Sequence, residues 1–274
     1  MTAFGTQFFE IPPPEGLYKV DVGMSELSDF GHLQVFADLN SDRYTDMVTV
    51  NGGNQVFIHT YDKTTKMFKP WKDFIVAGCE SIRSITVGRS SQVLRIFVTC
   101  SSSQGTIIKL VDRFPITTIS KTSIESADYI FKTLTFALKI ETDSQPFIGD
   151  LNGDYLDDIM YNDVAHSGQI FVAFQVPSES ANDAPMFHTA PFDHALLVRN
   201  PDEGCMSKQI ESKRFTVPHS IALIDFDGDC MADLFITIQD VTTGKKYYEI
   251  YLRREVTESV EIKRTTVKQV EQGG

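Results

Sequence analysis

The stretch Leu223-Ile224-Asp225-Phe226-Asp227-Gly228-Asp229-Cys230-Met231-Ala232-Asp233-Leu234-Phe235 sets four carboxylates between two apolar runs. The same pattern occurs twice more. Val35-Phe36-Ala37-Asp38-Leu39-Asn40-Ser41-Asp42-Arg43-Tyr44-Thr45-Asp46-Met47-Val48 is one copy, and Phe147-Ile148-Gly149-Asp150-Leu151-Asn152-Gly153-Asp154-Tyr155-Leu156-Asp157-Asp158-Ile159-Met160 is the other. Aligned on the first Asp, all three read D-x-[DN]-x-D-x-x-x-D. Their starts at 38, 150 and 225 lie 112 and 75 residues apart. The wider gap leaves room for a repeat without its acids, and Ile85–Thr99 keeps the strand–Gly–turn–strand rhythm there with Arg89-Ser90-Ser91-Gln92 in the loop.

The flanks decide the fold class. His32–Ala37, Met47–Val50, Gln55–His59, Arg95–Thr99, Gly168–Gln175, Leu234–Ile238 and Tyr247–Leu252 are short, β-branched or aromatic runs bounded by Gly, Asn, Asp, Ser or Pro. No long 3.6-residue period competes with them, so the chain is all-β. Units of 50–75 residues with several strands each imply a radial array of propeller-like blades. We expect a lead-in over 1–29 and a propeller-like region over 30–274. Its four blades would span about 30–78, 79–146, 147–216 and 217–272. Each repeat buries its face against its neighbours, so four blades are expected to be the N-terminal part of a larger propeller, cut at a blade boundary.

The acidic loops have the chemistry of calcium sites. Calcium takes 6–8 oxygen ligands at roughly 2.3–2.6 Å, and alternate residues of a tight loop can point them inward. Positions 1, 3, 5 and 9 are Asp38, Asn40, Asp42 and Asp46 in the first loop, and Asp150, Asn152, Asp154 and Asp158 in the second. In the third they are Asp225, Asp227, Asp229 and Asp233. Position 7 (Tyr44, Leu156, Met231) has no side-chain carboxylate and is expected to give its backbone carbonyl. The EF-hand shares the opening but needs Gly at position 6 and Glu at position 12 between helices. Position 6 here is Arg43, Tyr155 or Cys230, position 12 is Thr49, Tyr161 or Ile236, and the flanks are strands. Magnesium prefers fewer protein ligands, and transition metals would want His or Cys at these positions. Three calcium ions are therefore expected.

The whole chain sets further bounds. With 274 residues and 42% hydrophobic content it can bury a substantial core. A formal charge of −12 without a Lys/Arg cluster argues against nucleic acid. Three divalent cations would bring that −12 to about −6. The cysteines Cys79, Cys100, Cys205 and Cys230 match neither a zinc site nor a redox pair. Cys79 with Cys100 as a disulfide, or all four as buried thiols, are both open readings. No apolar stretch reaches the length of a membrane span, and residues 1–10 lack the pattern of a signal peptide.

No catalytic motif emerges, and a non-enzyme is expected. His166-Ser167 and Asp193-His194 are neighbours, which on a strand point to opposite faces. His219 reads as a turn residue, Trp71 as packing and Ile11-Pro12-Pro13-Pro14-Glu15 as a rigid lead-in.

The repeats resemble the FG-GAP type of integrin α-subunit propellers. More specifically, the chain resembles the T-cell immunomodulatory protein family, also called linkin. The match is carried by Val217–Thr237, by Tyr248-Glu249-Ile250-Tyr251, by Phe36–Asp46 and by Met67-Phe68-Lys69-Pro70, within Phe30 to Val260. The resemblance implies a signal peptide, a large extracellular propeller-like region and one C-terminal membrane helix in the family, although this chain contains neither of those flanking segments. It also implies a role in cell-surface interaction, tissue integrity and modulation of immune cells. The second repeat is acidic in relatives but carries no carboxylate in its loop here. The expected function is thus a calcium-stabilised, non-catalytic interaction module on the extracellular side of the membrane, with a protein partner at the cell surface. The alternatives are a carbohydrate-binding or polysaccharide-acting propeller, and an intracellular scaffold.

Overall fold

A computed structural model describes residues 31–90, 93–115, 129–142, 144–177, 185–192, 212–216, 221–256 and 259–263. The strands form four antiparallel sheets, each following the chain as a meander. The first sheet is β1 (His32–Ala37), β2 (Asp46–Val50), β3 (Gln55–Asp62) and β4 (Met67–Ile75), in that order. The second is β5 (Ser81–Ser90), β6 (Val93–Ser102), β7 (Gly105–Pro115) and β8 (Tyr129–Lys139). The third is β9 (Phe147–Gly149), β10 (Asp158–Asn162), β11 (Ile170–Val176) and β12 (Met186–Pro191). In the fourth, β13 (Lys213–Phe215) and β14 (Ala222–Ile224) both pair with β15 (Asp233–Asp240), followed by β16 (Lys246–Val256) and β17 (Ser259–Lys263). β13 meets β15 at 238–240 and β14 meets it at 233–235, so together they do the work of one interrupted strand.

Period-2 alternation explains how the sheets stack. On β6, Ile96, Val98 and Cys100 face the first sheet, in a cluster with Val48, Val50, Val56 and Ile58. Phe97, between them, faces the other way and joins Ile108, Leu110, Ile159 and Tyr161 in a cluster shared with the third sheet. On β10 the alternation repeats: Met160 points to the fourth sheet and packs with Val172, Leu234, Ile236 and Tyr251. Each consecutive pair of sheets therefore shares its own core, and the middle sheets are buried on both faces. Among the described residues no core cluster joins the first sheet to the fourth. The architecture is an all-β, propeller-like array.

Polar groups pin these interfaces. Arg95 of β6 holds Asp112 of β7 in a two-pronged pair at 2.6 and 3.0 Å and donates to Gln175 of β11 at 3.3 Å, all buried. The Phe215 N–H of β13 donates to Asn162 Oδ1 of β10 at 3.0 Å. A disulfide joins Cys79 to Cys100, 21 residues apart, with Cα atoms separated by 5.7 Å; this resolves the two readings of that pair. Cys230 is free and exposed, whereas Cys205 lies outside the described residues. Trp71 packs edge-on against Tyr129 and Phe131, so its role is core packing. None of the described helical segments is long and apolar enough to cross a membrane.

Candidate metal centre

Each acidic loop joins the first strand of its sheet to the second: β1 to β2, β9 to β10, and β14 to β15. In the second sheet the equivalent connection is a hairpin in which Ser90 pairs with Val93, leaving only two residues between them. That turn is too short to hold a nine-residue loop, which is the physical counterpart of its missing carboxylates.

The three loops share one hydrogen-bond scaffold. The position 1 carboxylate accepts the N–H of position 6: Arg43 to Asp38, Tyr155 to Asp150 and Cys230 to Asp225, each at 3.0 Å. The position 3 side chain accepts the N–H of position 5: Asp42 to Asn40 and Asp154 to Asn152 at 3.0 Å, Asp229 to Asp227 at 3.4 Å. Position 5 then accepts from position 7, with Tyr44 to Asp42 and Leu156 to Asp154 at 2.8 Å and Met231 to Asp229 at 2.9 Å. These nested Asx turns are what Asn and Asp do locally in place of extended pairing. They curl each loop back on itself, and in the first two loops the Asn40 and Asn152 amides also donate to Asp42 and Asp154. In the third loop, ligand oxygens of Asp225, Asp227 and Asp229 all lie within 4.8 Å of one another.

The backbone geometry needed for this curl was not foreseen from sequence. Position 4 is left-handed in every loop, with φ of 62° at Ser41, 86° at Gly153 and 79° at Gly228. Position 6 is left-handed too, with φ of 73° at Arg43, 65° at Tyr155 and 67° at Cys230. Glycine at position 4 of two loops was the available signal. Position 6 offered none, because three ordinary side chains bear that strain.

Position 9 is fully buried in all three loops, unlike the partly or fully exposed carboxylates around it. Asp158 accepts the N–H of Leu151 at 3.0 Å and of Gln175, on the neighbouring strand, at 2.9 Å. Asp233 does the same with Phe226 and Arg253, both at 2.8 Å. Asp46 accepts from Leu39 at 2.8 Å and Asn40 at 3.3 Å, but its Oδ1 is buried with no hydrogen-bond partner among the described residues. The ninth residue thus clasps the loop to its strand, and each ionised oxygen keeps further lone pairs for a cation. Burial pushes Asp158 up to about 7, aided by the charges of Asp154 and Asp150 and opposed by its backbone donors. Asp46 is pushed up to about 6, again mainly by burial, with Asp42 and Asp38 adding to the rise.

Position 2 was also missed, although an apolar residue among acids was a visible signal. Leu39 and Leu151 are buried in the cores shared with the next sheet in the stack. Arg113 of β7 donates to the Leu39 carbonyl at 2.5 Å, and the Arg253 guanidinium of the fourth sheet lies 3.6 Å from where a Cβ on Gly153 would sit. In the third loop the equivalent Phe226 is 45% exposed. The first two loops therefore brace a joint between sheets as well as a turn.

Among the described residues, the remaining sequence candidates form no second centre. His166 bonds Asp163 through Nδ1 at 2.6 Å and stacks on Phe171, on an exposed edge. Asp193, His194, His219 and the Ile11–Glu15 run lie outside the described residues.

Fold and loops together define a propeller-like stack of antiparallel sheets whose first hairpins carry a repeated nine-residue acidic clasp. No protein-family model matches the chain. Among curated proteins it is similar to the T-cell immunomodulatory protein of Homo sapiens, with 22% identity over 245 residues, covering 87% of this chain and 34% of the human protein. It is 25% identical over 284 residues to the T-cell immunomodulatory protein homolog of Plasmodium yoelii yoelii, covering 90% of this chain and 35% of the homolog. The Mus musculus T-cell immunomodulatory protein is 24% identical over 234 residues, 82% of this chain and 32% of its own length. The chain is thus similar to the T-cell immunomodulatory proteins at 22–25% identity, and it spans about a third of the length of these curated relatives.

Proposed function

We propose that this chain is a calcium-braced, non-catalytic interaction module that works outside the cell, with a protein partner at the cell surface. The observation that carries the calcium reading is the convergence of Asp225, Asp227 and Asp229 oxygens within 4.8 Å. Two oxygens bound to one calcium at roughly 2.4 Å can be no farther apart than about that distance. The unpartnered, buried Asp46 Oδ1 fits the same reading, since a cation would complete its contacts. Asp38, Asn40, Asp42 and Asp46 would hold the ion in the first loop, and Asp150, Asn152, Asp154 and Asp158 in the second. Asp225, Asp227, Asp229 and Asp233 would hold it in the third, with the backbone of Tyr44, Leu156 and Met231 completing each set. The ion would supply charge neutralisation, and the loops would then brace the sheet joints through Leu39 and Leu151.

The disulfide between Cys79 and Cys100 supports an oxidising, extracellular setting over an intracellular scaffold. The immunomodulatory role is taken from the relatives' printed name, which describes immunomodulatory proteins and no enzyme. Thermal melting in calcium, in magnesium and in EDTA tests the reading. Calcium is expected to raise the melting temperature and magnesium to do so weakly. A melting temperature indifferent to EDTA would sink it.

A further inference from the structure

The strand ends opposite the acidic loops carry a different kind of site. Asp158 and Asn162 mark the two ends of β10, and Asp233 and Gln239 lie toward the two ends of β15. At the Asn162 and Gln239 ends, a cavity of about 460 Å³ opens between the third and fourth sheets. That is within the roughly 300–1,000 Å³ of small-molecule sites. Its lining includes Glu141, Ser144, Asn162, Arg214, Gln239 and Lys246.

Three chain segments are tied together beneath it. The Ser144 N–H donates to the Glu141 carbonyl at 3.1 Å, and the Glu141 N–H donates to the Asn162 carbonyl at 3.0 Å. Asn162 Oδ1 in turn accepts the Phe215 N–H at 3.0 Å. The floor is therefore fixed before any ligand arrives, which lowers the ordering cost of binding. Ser144 Oγ is buried there without a hydrogen-bond partner among the described residues. An unsatisfied polar group against a cavity wall marks a place where a bound polar group would complete a bond.

The lining is chemically divided. Arg214 of β13 and Lys246 of β16 are exposed cations that flank Gln239 of β15 from its two sides, and Arg214 reaches Gln239 Oε1 at 3.4 Å. Glu141 is the one carboxylate among the described lining residues. Two cations attract an anion, but a fixed carboxylate in the same cavity penalises a doubly charged one such as phosphate. Glu141 and Gln239 offer acceptors, which call for hydroxyl donors on the ligand. We infer that this cavity binds a small, hydroxylated monoanion of the acidic-sugar class, with its carboxylate toward Arg214 and Lys246 and its hydroxyls toward Glu141 and Asn162. The site is independent of the acidic loops and needs no cation.

Saturation-transfer NMR on the full chain in EDTA tests this with D-glucuronate, D-glucose and inorganic phosphate, each at about 5 mM, where weak binding is measurable. Glucuronate is expected to bind, with glucose and phosphate at least about fivefold weaker. The Arg214→Ala/Lys246→Ala double variant should lose affinity for glucuronate by about fivefold or more, and Glu141→Gln should gain it by about twofold. These side chains stand at the surface or its margin, so the variants should melt like the parent. Equal binding of glucose, tighter binding of phosphate, or unchanged affinity in either variant would overturn the inference. The glucuronate titration is repeated in about 1 mM calcium: absence of binding in both conditions overturns this inference, whereas loss in EDTA alone reports on the calcium reading.

Discussion

Replacing Asp158 by Asn tests what the buried ninth residue does when no cation is present. In the folded chain the carboxyl is raised from 3.8 to about 7, chiefly by burial. A raised carboxylate destabilises the fold as it ionises. The stability present below the unfolded value near 3.8 is lost progressively as pH climbs through 4 to 7, and is flat above that. At about 1.4 kcal/mol per pH unit the full effect is ~4 kcal/mol, and partial solvent screening through the exposed loop cuts it to ~2 kcal/mol. Asn cannot titrate, so this slope disappears in the variant. Asn also puts an NH2 where the carboxyl, protonated or ionised, keeps an oxygen able to accept, so it can serve only one of the two backbone donors, Leu151 and Gln175. One buried N–H is left unmatched, costing about 1–3 kcal/mol. Urea unfolding in excess EDTA at pH 5 and pH 8 is the assay. The variant should be less stable at pH 5 by about 1–3 kcal/mol, and the gap should shrink by ~1–2 kcal/mol at pH 8. Asp46 titrates in both proteins and cancels in the difference. A gap that stays constant or widens with pH refutes the reasoning, and so does a variant as stable as the parent at pH 5.

Three further outcomes follow from the same geometry. Tyr155→Gly should stabilise the chain by about 1 kcal/mol in urea unfolding, because an exposed residue at φ 65° has strain that glycine lacks. Gly88→Ala should destabilise by about 1–3 kcal/mol, since its Cβ would sit 2.2 Å from Asp157 Oδ2 and 3.0 Å from Phe97; a melting temperature equal to the parent's would contradict that contact. Removing the disulfide with Cys79→Ala/Cys100→Ala should cost about 3 kcal/mol for a loop of 21 residues, and reductant should lower the parent's melting temperature but leave the variant's unchanged.

The spacing of Asp38, Asp150 and Asp225 and the apolar runs beside them were enough to read an all-β repeat from the sequence. Asx turns form between residues two apart, so the side chains that build the loop are written next to one another. The hairpin at Ser90–Val93 was legible for the same reason: Arg89-Ser90-Ser91-Gln92 has no acid to curl around. Alternation also showed that β6 and β11 were strands, though not which face met which neighbour.

Assignments between sheets were beyond the sequence. Asp158 meets Gln175 because β10 and β11 pair in one register, and nothing local distinguishes it from Asp154, which stays at the surface. Arg95 could equally have been a solvated cation; the β6–β7 register sets it opposite Asp112, and only the packing of β6 against β11 brings Gln175 to it. The cavity beside Asn162 joins residues more than 100 positions apart, from Glu141 to Lys246, whose types alone form no motif. Local hydrogen bonding fixes a loop from neighbouring residues, whereas burial, raised carboxyls and shared cavities depend on which surfaces the stacked sheets bring together. The acidic clasp was therefore visible in the chain, and its ninth residue's place in the interior was decided by the tertiary structure.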